Sequence, residues 1–96
     1  MSIQSNGLTA IPSEFGRLSR LQSLCLSDNR ITDLPGETGR LVSLTNFNLS
    51  RNQLAYLPTE LKKLSQLKHF DVRGNSLSLE KKDLIKSWLP NCDVSL

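Results

Sequence analysis

Aromatic side chains are scarce in this sequence: three Phe, one Tyr and one Trp, or 5 % of 96 residues. A core must therefore be built mostly from Leu, which suggests a small repeated unit rather than one irregular core. Histidine occurs once, at His69, and cysteine twice, at Cys25 and Cys92, with no Cys-x-x-Cys pair. A structural zinc site takes four Cys/His ligands. Three such residues spread along the chain do not supply it, so neither a metal nor another cofactor is expected. No run of 18 apolar residues occurs, so no membrane-spanning helix is expected. The opening Met1-Ser2-Ile3-Gln4-Ser5-Asn6 has neither the basic region nor the apolar run of a signal peptide. These absences point to a cytoplasmic protein with two free thiols. Charge of one sign is also lacking. The net charge is only +3, and the basic residues are scattered apart from pairs such as Lys62-Lys63 and Lys81-Lys82. Without a clustered basic stripe, a nucleic-acid partner is not expected.

What the chain does have is a period. Asn6, Asn29, Asn52 and Asn75 are each 23 residues apart. Leucine keeps the same step in Leu18, Leu41, Leu64 and in Leu21, Leu44, Leu67. Leu24, Phe47, Phe70 and Leu26, Leu49, Val72 continue it, and Pro12, Pro35, Pro58 recur in register. After each Asn come Leu8, Ile31, Leu54, Leu77, then Ile11, Leu34, Leu57 and Leu79. The alternation in Leu24-Cys25-Leu26 and Phe47-Asn48-Leu49 is that of a strand with one buried face. An Asn after each strand, set among apolar columns, can hydrogen-bond the backbone of its own turn and of the next coil. Pro then fixes φ and starts an extended or loosely helical return. Each unit is too small to bury its own apolar edge, so the units must stack into one core with a parallel sheet on one side.

The units LSRLQSLCLSDNRITDLPGETGR and LVSLTNFNLSRNQLAYLPTELKK, with the turn Ile11-Pro12-Ser13-Glu14-Phe15-Gly16-Arg17-Leu18, resemble the leucine-rich repeat family. The turn is similar to those of the intracellular Ras-group and of bacterial stand-alone repeat proteins. The resemblance implies an α/β right-handed solenoid with a short parallel β-sheet on its concave side. Residues 1–17 read as a partial first repeat, 18–40 and 41–63 as full repeats, and 64–78 as the last. Residues 79–96 read as a C-terminal helical cap. Two positions depart from the pattern: Thr38 stands where Phe15 and Leu61 stand, and Gly74 precedes Asn75.

The ends differ. Ser78 is placed as an N-cap for a helix over 79–89, with Leu84, Ile85, Trp88 and Leu89 on one face and Pro90 as its stop. A strand-like tail, Cys92 to Leu96, follows. At the other end Met1 and Ile3 fall in strand columns, and no capping element precedes them. That edge leaves apolar side chains and strand amides uncovered. A structural unit that homodimerises through this edge, or a C-terminal fragment of a longer leucine-rich repeat signalling protein, are the alternatives to a self-contained binding module.

Side chains alternating with the buried columns point out of the sheet. The resemblance implies that this concave surface is where a protein partner binds. The outward positions are Ser23, Asn46 and His69; Ser2, Cys25, Asn48 and Asp71; Gln4, Ser27, Ser50 and Arg73; with Ser5, Asp28 and Arg51 beside them. Asn29, Asn52 and Asn75 are assigned to a structural ladder. Cys25, His69 and Asp71 share the face and look like parts of a thiol site. Cys25 and His69, however, lie two strands apart, about 9.6 Å, and are offset by about 6–7 Å along the strand. A nucleophile and its base need about 2.6–3.2 Å, so no catalysis is expected.

Overall fold

The computed structural model describes residues Met1–Leu96. Three short strands recur at the 23-residue step: β1 (Ser23–Cys25), β2 (Asn46–Asn48) and β3 (His69–Asp71). They pair in parallel and in register, Leu24 beside Phe47 beside Phe70. The tail supplies β4 (Asp93–Ser95), parallel to β3, and Ser2 extends the other edge by a single bridge to Cys25. This is the right-handed leucine-rich-repeat solenoid that the resemblance implies, its sheet in sequential order β1-β2-β3-β4. The middle residue of β1, β2 and β3 is buried and the residues flanking it face out, as period-2 alternation demands.

The return path is more regular than the sequence suggests. Of the extended and loosely helical forms expected, the helical one is found: each coil has a five-residue 3-10 helix, Ser13–Arg17, Gly36–Arg40 and Thr59–Lys63. Each follows a proline whose carbonyl accepts the first i+3 bond, from Phe15, Thr38 and Leu61 N–H respectively. Proline presets φ for the turn and has no N–H to leave unpaired. Adjacent 3-10 helices touch closely through glycine. A Cβ at Gly16 would lie 2.8 Å from the Glu37 carbonyl oxygen, and one at Gly39 would lie 2.5 Å from that of Glu60.

Between sheet and returns lies one apolar core running through all the coils, from Ile11 to Leu89. Phe47 and Phe70 stack inside it with ring centroids 5.4 Å apart. The asparagines form the expected ladder. Asn52 Oδ1 accepts the Ile31 N–H of the preceding coil at 3.0 Å. Its Nδ2 donates to the carbonyls of Leu26, Leu49 and Ser50. Asn29 and Asn75 repeat the scheme one coil earlier and later. A second, backbone-only ladder joins the coils just beyond it: Arg30 N–H to Leu8 O, Gln53 N–H to Ile31 O and Ser76 N–H to Leu54 O. Short strands leave most of each coil without sheet partners, and these two ladders pair the buried backbone that remains.

The cap helix α1 spans Leu79–Trp88, with the Ser78 hydroxyl accepting from Lys81 N–H at 3.3 Å. Ile85 and Leu89 close the core, and Trp88 and Cys92 pack on its margin. Two expectations fail here. Leu79 does not continue the Leu57 column into the core but is 75 % exposed. It sits one residue short of the 23-residue step and begins the helix instead. Leu84 is also exposed, because Ile85 and Leu89 alone fill the space above the last coil. At the opposite end Met1 and Leu18 are exposed, and Ile3, Leu8, Phe15 and Leu21 are only partly buried. Thr38 is buried where Phe15 and Leu61 sit in their own coils, and its hydroxyl has no hydrogen-bond partner.

Candidate functional site

The outward side chains of the strands line a shallow trough of about 370 Å³ across the sheet. Parallel register sets them in two rows. Ser23, Asn46, His69 and Asp93 form one; Cys25, Asn48, Asp71 and Ser95 form the other. Ser23, Asn46 and His69 are exposed, and Cys25, Asn48 and Asp71 are half-buried. Asp93 and Ser95 were not among the expected residues. They stand 24 residues beyond His69 and Asp71, one off the repeat step, and only the polar-apolar-polar run Asp93-Val94-Ser95 hints at them.

Ser27 and Ser50 correct the sequence reading. Both were assigned to the outward face, but they are 2 % and 3 % exposed. Gln4 lies over Ser27, with Oε1 3.3 Å from the Ser27 hydroxyl, and the Cys25 thiol stands 3.4 Å away on its other side. Asn48 Oδ1 accepts the Ser50 N–H and tightens the turn there. A short side chain at the exit of a strand lies below the tips of its neighbours, so neither serine meets a partner directly.

Just past each strand, Ser5, Asp28, Arg51 and Gly74 have φ between 55° and 74°. This left-handed conformation is costly for a residue with a Cβ. It recurs at the 23-residue step and swings the chain from the strand into the Asn ladder. Gly74 is thus the residue best suited to its place. The αL turn raises Asp28 and Arg51 onto the rim of the trough. There Arg51 Nε and Nη2 donate to both oxygens of Asp28, the latter at 2.8 Å. Arg73 does the same to Asp71, at 3.0 and 2.9 Å. The four charges therefore form two neutral forked pairs. The guanidinium of Arg51 holds the Asp28 carboxyl below the usual carboxylate range, and Arg73 does so for Asp71.

The remaining chemistry of the face is sparse. His69 Nδ1 faces Asp93 Oδ2 at 3.7 Å, while Cys25 is aligned with Asn48 and, beyond it, Asp71. The thiol, imidazole and carboxylate that looked like a site are thus held in different rows or on different partners. No three His, Cys, Asp or Glu residues are grouped to hold a metal ion. Cys92, half-buried beside the cap, has its thiol pushed up in pKa by burial and by the charge of Asp93. No helix is long and apolar enough to cross a membrane.

Comparison with known proteins agrees with this architecture. The family model described as Leucine rich repeat matches residues 1–54 and 19–77. No curated protein matches the chain. Among solved structures, an LRR protein of Leptospira interrogans is similar at 34 % identity and a TM-score of 0.96 over 98 % of this chain. The chain spans 24 % of that protein's length. The Asn ladder, the parallel strands and these matches agree: the chain belongs to the leucine-rich repeat family.

Proposed function

We propose that this chain is a non-catalytic module that binds a protein partner through its concave sheet. The observation that carries the reading is the trough itself. Four parallel strands hold two rows of polar side chains in fixed register over a rigid apolar core, and little of that face is occupied by the chain's own side chains. The rim charges pair with one another, so they contribute a pattern of alternating sign rather than a net field. A partner reads such a pattern by register, which favours selectivity over raw affinity. The absence of Trp or Tyr from the trough is consistent with modest affinity, since those residues dominate binding hot spots. The same reading places the chain in the cytoplasm, where Cys25 and Cys92 stay reduced.

A photo-crosslinking residue placed at Asn46, with a control at Lys63 on the convex side, tests the face in an extract of the source cell. Crosslinked product from position 46 alone supports the reading; product from position 63 alone refutes it. The double reversal Asp28→Arg with Arg51→Asp keeps the ion pair but inverts its pattern. Capture at position 46 should fall with the fold intact. Undiminished capture would show that the pair only steadies the rim.

One observation favours a second reading, self-association. The first coil presents exposed Met1 and Leu18 beside partly buried Ile3, Leu8 and Leu21. Light scattering over a concentration series tests it: a mass that doubles and returns to monomer with Ile3→Glu supports it, and a monomer throughout refutes it.

A further inference from the structure

We infer that the cap carries a second docking surface, away from the concave sheet, for a short acidic peptide segment with apolar anchors. The chain has one Tyr and one Trp, and both line a single cleft of about 140 Å³ between α1 and the last return loop. Leu57 and Ile85 form its apolar lining, and Leu84 stands on its lip. Tyr56 and Leu84 are 49 % and 44 % exposed. Leu84 contributes nothing to closing the core, which Ile85 and Leu89 accomplish. Asp33 stands one coil back in the same column, and its negative charge raises the pKa of the Tyr56 phenol at the cleft mouth. Trp88 also lines a second cleft of about 130 Å³, with Leu64 and Leu67 at its base. The indole is therefore a ridge between two small hollows, the first mainly apolar and the second of mixed lining with Ser65 and Asn91. Amphipathic aromatics flanked by hollows are the usual anchors of protein recognition, in contrast to the small polar side chains of the trough.

Charge selects the occupant. Each cleft is lined by one Lys, Lys81 in the first and Lys62 in the second, and by no carboxylate. Residues 1–60 balance five basic against five acidic side chains, whereas residues 61–96 hold seven against four and so carry the whole net charge of +3. On α1 itself Lys81, Lys82 and Lys86 outnumber Glu80 and Asp83 by one. A segment that seats an apolar side chain in each hollow and lays carboxylates toward Lys62 and Lys81 matches both the shape and the sign.

Because Trp88 is the sole tryptophan, its emission reports occupancy directly. The probe is a synthetic peptide of glutamates with two leucines four residues apart; controls replace the glutamates by lysine or the leucines by serine. The expected result is a saturable blue shift with the acidic leucine peptide in the micromolar range, absent with either control. Leu84→Glu and Lys81→Glu should each weaken binding about tenfold, Lys81→Arg should not, and the Asp28/Arg51 reversal on the concave rim should have no effect. Leu84 and Lys81 are exposed, so an unchanged melting temperature separates lost binding from lost fold. No shift at millimolar peptide, equal binding of the lysine peptide, or full binding by Leu84→Glu would overturn the proposal. So would an emission shift that rises with protein concentration alone, which would assign the clefts to a second copy.

Discussion

Replacing Asn52 by Ala tests the ladder at the point where its hydrogen bonds are all buried. Asn52 makes four contacts, and the loss is unequal among them. The Leu26 carbonyl keeps Asn29 Nδ2, the Leu49 carbonyl keeps Asn75 Nδ2, and the Ser50 carbonyl keeps Asp28 N–H. Only the Ile31 N–H, bound by Asn52 Oδ1, is left without a partner, in a coil whose Ile31 side chain is wholly buried. One orphaned buried amide costs about 1–3 kcal/mol, and the three weakened carbonyls place the total toward the upper part of that range. For a chain of this length 1 kcal/mol shifts Tm by roughly 4–8 °C. A drop of about 8–20 °C is therefore expected in a melt followed by circular dichroism. Asn29→Ala should cost less, because the amides it frees, at Asn6 and Leu8, lie on the partly exposed first coil where water replaces the lost acceptor. Asn52→Asp is the sharper control. It preserves the acceptor for Ile31 but turns a carboxylate toward three carbonyl oxygens, and should destabilise at neutral pH at least as much as Ala. Equal losses at positions 29 and 52, or an Asn52→Ala loss under about 0.5 kcal/mol, would refute the reasoning that counts orphaned groups.

Three further outcomes follow from particular residues. Thr38→Val removes a buried hydroxyl with no partner and should stabilise the fold by about 1 kcal/mol; a lower Tm would show that the hydroxyl is bound in solution. Gly74→Ala puts a Cβ at φ +74, 3.1 Å from Arg51 Cγ, and should cost about 1–2 kcal/mol in urea unfolding. Asp28 and Asp71 titrate below the ordinary carboxylate value because Arg51 and Arg73 bind their charged forms. Their stabilising effect is complete above about pH 4 and is lost as the pH falls through the lowered values. Melts between neutral and strongly acidic pH should therefore fall less steeply in Asp28→Asn and Asp71→Asn than in the parent chain, by a small margin since the pairs are exposed.

The repeat was legible because each column serves one physical need at one spacing. Leu24, Phe47 and Phe70 mark buried strand centres, and the Asn series marks orphaned backbone. Ser78 and Pro90 bracket a helix that ends within two residues of its expected limit. Features outside that step were harder to read. Asp93 and Ser95 enter the trough because a helix, rather than a 3-10 return, precedes them and advances the register by one. Leu79 resembles a core column yet starts α1, and a Leu in a first helical turn looks the same in sequence whether covered or not. The αL column was masked by Ser5, Asp28 and Arg51, none of which announces a positive φ; only Gly74 does. Burial of Ser27 and Ser50 depends on the reach of neighbouring side chains, which alternation alone does not encode.

The glycine contacts between the 3-10 helices also decide how such a solenoid can grow. Position 16 is Gly, position 39 is Gly, and the next in step, position 62, is Lys. At 16 and 39 the following coil's backbone lies where a Cβ would stand; at 62 the neighbour is α1, and a long side chain has room. A copy of residues 18–40 inserted after itself would bring its own glycine and stack on either side without adjustment. A copy of residues 41–63 would instead drive Lys62 into the carbonyl of the added coil. The chain is thus open to an added coil at one joint and closed to it at the next, a difference set by the missing Cβ at positions 16 and 39.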